Sequence, residues 1–198
     1  MKAVEATFSS LFQTEGNQWH FHIPKYQREY TWGKTNWSKL LEDIYENESS
    51  HYMGSIICVH DIEEVGPNDE LIYDVVDGQQ RLTTLSLLLT AIYNKYKYVL
   101  AEGGDSDDDE VKDILNSIRK KLIKKIKAKD GKTPHGGHKD DAYIFYLRVQ
   151  PSAQFHNLED YLYILSKIEL IGGLNPEIVE IVLFTKDIRI SWNNSRYS

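Results

Sequence analysis

The apolar residues of the first hundred positions change their spacing several times, and each change predicts a new element. A short extended segment is predicted at 21–23, where Pro24 ends it or places it at a sheet edge. A helix is predicted after an N-cap at Thr35 or Asn36, because the apolar positions that follow share one helical face. The residues on that face are Trp37, Leu40, Leu41, Ile44 and Tyr45.

Two further strands and a long helix complete this half of the chain. Residues 52–59 predict a buried strand, 60–70 a turn or hairpin loop, and 71–76 a strand rich in β-branched residues. After Asp77-Gly78, apolar residues recur at helical spacing for about 20 positions. The order β–α–β–β–α predicts an α+β domain rather than a doubly wound sheet.

The second half is predicted to be mostly helical. We divide the chain into a core at 1–100, an acidic linker at 101–110 and a helical extension at 111–198. An amphipathic helix is predicted from Val111, with a basic face from Arg119 to Lys129.

Three segments of the extension receive less uniform predictions. Residues 143–149 fit either a strand or a helical turn, whereas 158–168 predict a helix that ends at Gly172-Gly173. A last helix is predicted to start at Asn175-Pro176, because proline suits the first helical position.

Composition limits the classes of protein that the chain can belong to. The net charge of −7 and a pI near 5.5 argue against a surface that is a nucleic-acid footprint throughout. The single cysteine, Cys58, excludes an internal disulfide and a cysteine zinc site, and its apolar neighbours favour a buried structural thiol. Neither a membrane-length apolar run nor a signal peptide is present, so we predict a cytoplasmic protein without a membrane partner.

The segment Asp77-Gly78-Gln79-Gln80-Arg81 carries the most specific chemistry. A strand that turns into a helix leaves backbone N–H groups unpaired, and these groups bind anions with the helix dipole. Gly78 allows the backbone to approach a ligand closely. Arg81 places a cation in the first turn of the helix, where the dipole disfavours positive charge, and a bound phosphate would explain its presence there. The side-chain amides of Gln79 and Gln80 can hydrogen-bond to phosphate oxygens or to an attacking water. The Asp77 carboxylate can bind Mg²⁺ or orient that water.

A structural interpretation of the same turn stays open. Asp-Gly is an ordinary turn dipeptide, and Asp77 could simply cap the helix. The pattern is not a Walker A loop, because no Gly-Lys-Ser/Thr follows a glycine-rich stretch.

A second segment, at 23–32, concentrates aromatic and basic residues with little amphipathic periodicity. Lys25 and Arg28 can meet phosphate charge, whereas Tyr26, Tyr30 and Trp32 can stack on a base or line a pocket. The alternative is that one or two of these aromatics only attach the first strand to the core.

Together the two segments resemble a known family. Ile23-Pro24-x-Tyr26-Gln27-Arg28-x-Tyr30-x-Trp32, a strand containing Gly54, and then Val76-Asp77-Gly78-Gln79-Gln80-Arg81-Leu82-Thr83-Thr84-Leu85 are similar to the N-terminal domain of GmrSD-type restriction endonucleases. The resemblance in order and spacing covers residues 8–100, and the helical part to about residue 185 fits the family's variable region.

The resemblance implies a fold, an activity and a set of functional residues. The fold is a small ParB/sulfiredoxin-like mixed sheet with packed helices, and the activity is binding and hydrolysis of a nucleoside triphosphate that controls DNA cleavage in anti-phage defence. The implied catalytic residues are Asp77, Gln79, Gln80 and Arg81, with Asp77 as the metal ligand. The implied nucleotide-binding residues are Lys25, Tyr26, Gln27, Arg28, Trp32 and Gly78. Mg²⁺ and a guanine or uracil nucleotide are the implied cofactors.

The family's later Phe-Glu-x-Leu-Asn motif and its HNH-like nuclease domain do not occur in this sequence. We therefore expect a nucleotide-dependent regulatory domain that works with a nuclease domain or subunit elsewhere. The predicted partners are a nucleotide, DNA with or without a modification, that nuclease, and a further copy of the chain. The alternatives are a non-catalytic DNA-binding or protein-interaction module, and a ParB-like nuclease with Asp77 and Glu29 as metal ligands.

The remaining charged and histidine clusters are weaker candidates. The basic residues Lys120, Lys121, Lys124 and Lys125 could contact a DNA backbone, but a solvated helix face balanced by nearby acids is favoured. His135 and His138 could form a metal pair, although an exposed loop is favoured because no third ligand follows. His20 and His22 share one face of a strand, for which edge-strand packing is favoured.

Overall fold

The structure, a computed structural model, describes most of the first half of the chain and parts of the second. The described residues are 5–12, 19–46, 52–60, 71–101, 109–127, 143–168, 170 and 179–182. Its α-helices are α1 (Phe8–Leu11), α2 (Lys34–Glu46), α3 (Gln79–Ala101), α4 (Asp109–Leu122) and α5 (Asn157–Lys167), and a 3₁₀ turn at Gln154–His156 precedes α5. Its strands are β1 (Trp19–His22), β2 (Ile57–Val59), β3 (Leu71–Asp77), β4 (Ile123–Lys127), β5 (Tyr143–Leu147), β6 (Val149–Gln150) and β7 (Val179–Val182).

A four-stranded mixed sheet in the order β2-β3-β1-β6 organises the first half. β1 runs parallel to both of its neighbours, with Phe21 opposite Tyr73 of β3 and Val149 of β6. β2 is antiparallel to β3 and forms the edge of the sheet. Because β1 and β3 are parallel, the segments that leave their carboxyl ends emerge at the same edge of the sheet.

A second, three-stranded sheet has the order β4-β5-β7. β4 follows α4 directly and pairs antiparallel with β5, with Ile123 opposite Leu147, whereas β7 runs parallel to β5. The two sheets are adjacent along the chain, because only Arg148 separates β5 from β6.

One apolar core connects the first sheet to the helices of both halves. Its buried side chains include Phe21, Val75 and Val149 from the sheet, Leu82, Leu85 and Leu89 from α3, Ile118 and Leu122 from α4, and Leu158, Leu162 and Leu165 from α5. The apolar face of α3 is buried only in its first half, since Tyr98 and Val99 are exposed. α3 is therefore held most firmly at the end where it leaves the Asp-Gly turn.

Several polar groups in this core are paired. The hydroxyl groups of Ser86 on α3 and Tyr161 on α5 hydrogen-bond to each other, and burial raises the pKa of Tyr161 to about 12. His20 donates from its Nδ1 to the carbonyl oxygen of Leu147, 3.1 Å away. Each pairing reduces the cost of removing a polar group from water.

The α+β class and the order β–α–β–β–α over residues 18–100 are confirmed, as are the strand before the Asp-Gly turn and the helix after it; the short helix α1 precedes this order. The ambiguous segment 143–149 is a pair of strands. The division into domains at residue 100 stays a prediction, although β6 from the second half completes the first sheet. The likeness to a ParB/sulfiredoxin fold also stays a prediction.

Four predictions of local structure are wrong. The strand predicted at 52–59 covers only Ile57–Val59, and the side chains of Ile57 and Val59 are exposed because β2 is an edge strand. The basic helix predicted to reach Lys129 ends at Leu122, where the chain becomes β4.

The other two concern β1 and the last helix. The two histidines of β1 do not lie on an edge strand, because β3 and β6 flank β1 on both sides. The helix predicted from Asn175-Pro176 is replaced at Val179–Val182 by β7, which pairs with β5. The extension is thus helical in α4 and α5 but also contributes strands, because tertiary pairing overrides helical spacing in short apolar segments.

Several predictions lie outside the described residues. They concern the loop at 61–70, most of the acidic linker, His135 and His138, and the last residues of the chain. In the described part of the chain, no helix is long and apolar enough to cross a bilayer.

Candidate functional site

The Asp-Gly turn lies at the carboxyl end of β3 and leads directly into α3. Gly78 has φ +94°, a left-handed backbone that side chains disfavour. A Cβ at Gly78 would also lie 3.1 Å from the Ile56 Cα and from the Ser55 carbonyl oxygen. The glycine therefore provides both the turn geometry and the close approach of residues 55–56, and its own carbonyl accepts the Leu82 N–H at 3.1 Å to begin α3.

Gln80 binds the turn to the aromatic segment that follows β1. Its Oε1 accepts the backbone N–H groups of Thr31 at 2.9 Å and Trp32 at 3.3 Å, and its Nε2 donates to the Glu29 carbonyl at 2.8 Å. The side chain is only 5% exposed. Since both ends of the amide are engaged and buried, Gln80 holds the path of residues 29–32 rather than facing solvent.

Gln27 makes the reciprocal connection from the aromatic segment back to β3. Its Nε2 donates to the carbonyl oxygens of Val76 at 2.9 Å and Val75 at 3.3 Å. Gln79 donates to the Gln27 Oε1 over 3.4 Å, a longer and weaker contact. The three glutamines thus lock the two motif segments together, mainly through bonds from side chain to backbone.

A hydrogen-bond chain with a fixed direction extends this lock to α2. The Trp37 Nε1 can only donate, and it does so to the Tyr30 hydroxyl oxygen at 2.7 Å. The Thr84 hydroxyl donates to the Gln80 carbonyl at 2.7 Å, so its oxygen accepts the remaining bond, which Tyr30 donates at 2.8 Å. The order of donors is therefore Trp37, Tyr30, Thr84, and bonds aligned in this way strengthen one another.

Arg81 contacts a third segment, which the sequence motifs did not assign to the site. Its Nη1 donates to the Ser55 carbonyl oxygen at 3.1 Å. Gly54 has φ +92°, and a Cβ there would lie 2.8 Å from the Arg81 Cζ. The guanidinium group therefore lies directly against the backbone of Gly54, which explains on steric grounds why a glycine stands before β2. The glycine was noted in the sequence, but nothing there connected it to the arginine.

Gln154, from the 3₁₀ turn before α5, supports the aromatic segment from the second half of the chain. With its amide nitrogen facing the two carbonyls, it donates to Lys25 at 2.6 Å and Gln27 at 2.8 Å. Sequence reasoning missed this residue, because a lone glutamine far along the chain carries no local signal.

The predicted site residues divide into two groups by exposure. Gly78, Gln79 and Gln80 are buried, and Gln27 is partly buried and bonded to backbone. The exposed members are Lys25, Tyr26, Arg28 and Asp77, with Tyr26 74% exposed, whereas Trp32 and Arg81 are partly exposed. The side-chain amides of the first group are engaged in hydrogen bonds within the protein, and the side chains of the second group are accessible to a ligand.

The charges of this region differ from those of the whole protein. The chain has a net charge of −7, yet the two motif segments carry Lys25, Arg28 and Arg81 against only Glu29 and Asp77. The first turn of α3 contains no acidic residue. The helix start therefore combines its unpaired N–H groups and dipole with local cations, an arrangement suited to an anion.

The carboxylates of the two motif segments are the possible metal ligands of this site. Among the described residues, no three His, Cys, Asp or Glu side chains come close enough to hold an ion. Asp77 therefore fits Mg²⁺ only in the manner typical of nucleotide sites, where one or two carboxylates share the ion with substrate phosphates. A two-metal nuclease site built on Asp77 and Glu29 receives no support from this geometry.

Two other candidate groups are placed as follows. Lys120 and Lys121 belong to the last turn of α4, whereas Lys124 and Lys125 belong to β4, so the four do not share a helix face.

Partial burial, with a smaller contribution from the charge of Asp74, raises the pKa of Cys58 to about 11. Its thiol is therefore protonated at neutral pH, as expected of a structural cysteine.

The fold and the site define an α+β domain in which a strand-to-helix Asp-Gly turn is hydrogen-bonded to an aromatic segment that carries exposed cations. The sequence matches the family model of the GmrSD restriction endonuclease N-terminal domain over residues 8–188. The chain therefore belongs to this family and is the N-terminal domain of a restriction endonuclease of a DNA-defence system. Comparison with curated proteins gave no match.

Proposed function

We propose that this domain binds and hydrolyses a nucleoside triphosphate at the Asp77–Arg81 turn, and that hydrolysis controls a nuclease domain or subunit acting on DNA. The observation that carries the proposal is the lock between the two motif segments. The side-chain amides of Gln80, Gln79 and Gln27 are engaged in this lock, whereas the side chains of Lys25 and Arg28 are exposed and that of Arg81 is partly exposed.

The arrangement supports a division of roles. The backbone N–H groups at the start of α3 and the guanidinium of Arg81 bind the phosphates, with Lys25 and Arg28 adding charge. Tyr26 and Trp32 stack on the base. Gln80 and Gln27 act as positioning residues, which revises the catalytic role that the motif implied for Gln80.

Hydrolysis at such a site is mainly a matter of positioning and electrostatics. A water oxygen forms a bond to the γ-phosphorus while the bond to the bridging β–γ oxygen breaks, and that oxygen leaves with the electron pair. The proton of the water passes to a γ-phosphate oxygen, which gives inorganic phosphate. Mg²⁺, when bound by Asp77 and the phosphates, would neutralise the developing charge. Guanine or uracil nucleotides are the bases that the family resemblance implies.

The test is phosphate release in the presence of Mg²⁺ with GTP and UTP, by the assembly that contains the nuclease. Asp77→Ala and Arg81→Ala should each lower kcat/KM by at least about a hundredfold, since each removes a charge that acts on the transferring phosphate. Asp160→Ala on α5 and Arg119→Ala on α4 are matched controls, because they delete the same charges outside the motif segments. Equal turnover by all five proteins, or no turnover by any, would contradict the proposal.

Control of the nuclease is tested separately. The assembly is tested on modified and on unmodified DNA. Whichever DNA the wild type cuts, it should cut only when a hydrolysable nucleotide is present, and the Asp77→Ala variant should not cut it. Nucleotide-independent cutting would show that hydrolysis does not control the nuclease. No specific observation favours the lysines of α4 and β4 as the DNA contact.

A further inference from the structure

The turn that precedes α5 contains two consecutive residues with a left-handed backbone. Phe155 has φ +54° and ψ +31°, and His156 has φ +61°. Glycine adopts this conformation freely, whereas a side chain as large as that of phenylalanine disfavours it. Among the described residues, these are the two positions other than glycine that have a positive φ. The turn is therefore held in a conformation that its own residues disfavour.

Packing of the Phe155 ring does not account for this strain. The side chain is 58% exposed, and it is not part of the apolar core to which Leu158 and Leu162 of α5 belong. An exposed aromatic ring forgoes the stabilisation that burial would give. The backbone and the side chain of Phe155 are thus both unfavourable for folding, and strained residues of this kind are typical of sites that hold a ligand.

The topology of the first sheet brings this turn to the edge at which the two motif segments lie. β6 runs parallel to β1, with Gln150 opposite His22, and the Ile23 N–H donates to the Gln150 carbonyl at 3.0 Å. β1 is also parallel to β3, so all three strands end at the same edge. The segments that leave them there are 24–32, 77–81 and 151–156. In open sheets with parallel strands, ligands bind outside the carboxyl ends of the strands.

Gln154 fixes the turn against the residues on both sides of Tyr26. Its side-chain amide donates to the carbonyl oxygens of Lys25 at 2.6 Å and Gln27 at 2.8 Å. Its backbone N–H donates to the Ser152 hydroxyl oxygen at 3.2 Å, which orders the turn itself. Phe155 follows Gln154 directly, so its ring leaves a backbone that is bonded to the segment of Tyr26. The two exposed rings, Tyr26 at 74% and Phe155 at 58%, therefore come from neighbouring segments.

We propose that Phe155 and Tyr26, the Tyr26–Phe155 pair, bind the base of the nucleotide whose phosphates lie at the start of α3. The inference rests on the proposed function and deepens it, because it assigns a base-binding residue to the second half of the chain. A base that stacks on both rings removes two exposed aromatic surfaces from water. The gain on binding explains why the strained, exposed ring is kept.

The charges beside the Tyr26–Phe155 pair favour a nucleotide over an uncharged aromatic ligand. Lys25 and Arg28 belong to the same segment as Tyr26 and are exposed, and Arg81 is partly exposed at the neighbouring turn. Aromatic rings among cations suit a ligand in which a flat base is joined to phosphates. Because stacking is tolerant of the base, this pair contributes affinity, and hydrogen bonds from other groups would select among bases.

The experiment is titration calorimetry of the full chain with Mg²⁺ and non-hydrolysable analogues of GTP and UTP, beside inorganic tripolyphosphate. Phe155→Ala should raise the Kd of both analogues about tenfold, because it removes one stacking surface. The Kd of tripolyphosphate should not change, since this probe has no base. Phe155→Tyr keeps the ring and should bind as the wild type does. Tyr98→Ala is the matched control, because it deletes a ring that is 52% exposed near the other end of α3.

Phe155→Gly separates a contact with the ligand from a role in folding. Glycine relieves the left-handed backbone and removes the exposed ring, so the urea midpoint of unfolding should stay the same or rise. The Kd of both analogues should nevertheless rise about tenfold, as in Phe155→Ala. A ring that serves the fold would give the opposite result for stability, with a lower urea midpoint in the glycine variant.

The failure of this inference and the failure of the proposed function give different results. Analogues that bind the wild type, Phe155→Ala and Phe155→Gly equally well would overturn the Tyr26–Phe155 pair and leave the proposed function standing. An equal loss for tripolyphosphate would also overturn it, because the ring would then act through the fold. Analogues that do not bind the wild type would overturn both proposals. A single-stranded oligonucleotide whose binding alone is weakened by Phe155→Ala would assign the ring to a DNA base, against the inference.

Discussion

The side-chain oxygen of Gln80 lies 2.9 Å from the backbone nitrogen of Thr31, and this bond joins a strand-to-helix turn to a segment 49 residues earlier. The amide also accepts the Trp32 N–H and donates to the Glu29 carbonyl. One buried side chain thereby satisfies three backbone groups that belong to no helix or strand. One role of the motif is therefore structural, because Gln80 fixes the path of residues 29–32 beside the turn.

Replacement of Gln80 by alanine should cost stability as well as activity. The variant leaves Thr31, Trp32 and Glu29 backbone groups without their partner, and we expect a loss of about 2–4 kcal/mol in the free energy of unfolding. Urea unfolding measures it. Asn94→Ala, which removes an exposed amide side chain from the same helix, should change stability by less than about 0.5 kcal/mol. Equal stability of the two variants would show that the Gln80 hydrogen bonds do not stabilise the connection between the two motif segments.

Gly54→Ala should displace Arg81. The new methyl group would lie 2.8 Å from the guanidinium carbon, and the φ of +92° strains any side chain. We expect destabilisation of about 1–3 kcal/mol together with weaker nucleotide binding. Gly33→Ala is the matched control, because nothing lies within 4 Å of the position that its methyl group would take and its φ is outside the left-handed region. Nucleotide binding that is unchanged in Gly54→Ala would show that Arg81 can take another position.

Tyr30→Phe should break the directed chain between Trp37 and Thr84. The hydroxyl accepts one bond and donates the other, so its removal leaves both neighbours without that partner. We expect a loss of about 1–2 kcal/mol. A double-mutant cycle with Trp37→Phe should give a coupling of about 0.5–1.5 kcal/mol. Additive effects of the two substitutions would show that the bonds do not act as a unit.

Cys58 should react slowly with thiol reagents in the folded protein. Its pKa is raised to about 11, so at pH 8 its thiolate is about a hundredfold scarcer than that of an ordinary cysteine. Alkylation followed by mass spectrometry measures the rate. The urea-unfolded chain is the internal control, since the sequence contains one cysteine.

The sign of the pH effect follows from the same shift. The pKa is raised on folding, so the stabilisation from the neutral thiol is complete below the ordinary value near 9.0 and is lost as pH rises towards 11. The alkylation rate of the folded protein should therefore still increase between pH 9 and 11. A rate that levels off near pH 9 would contradict the raised pKa.

The sequence by itself determined the elements whose cause is local. The β-branched run before Asp77 and the long apolar spacing after it are enough to specify β3 and α3, because strand and helix periods differ. Gly78 marks the turn for the same local reason, since its positive φ disfavours a side chain. The two motif segments could also be paired from the sequence, through their resemblance to a family.

Only the tertiary structure decided which of those residues hold the chain in position and which are exposed. The three-bond role of Gln80, the contact of Arg81 with Gly54 and Ser55, and the support from Gln154 all join positions far apart in sequence, which no local period reports. Ile123–Lys127 has an apolar spacing that extends the preceding helix, yet it becomes β4 because β5 offers a strand to pair with. The exposure of α2 was likewise undetermined, because an amphipathic pattern says which face is apolar but not whether anything covers it.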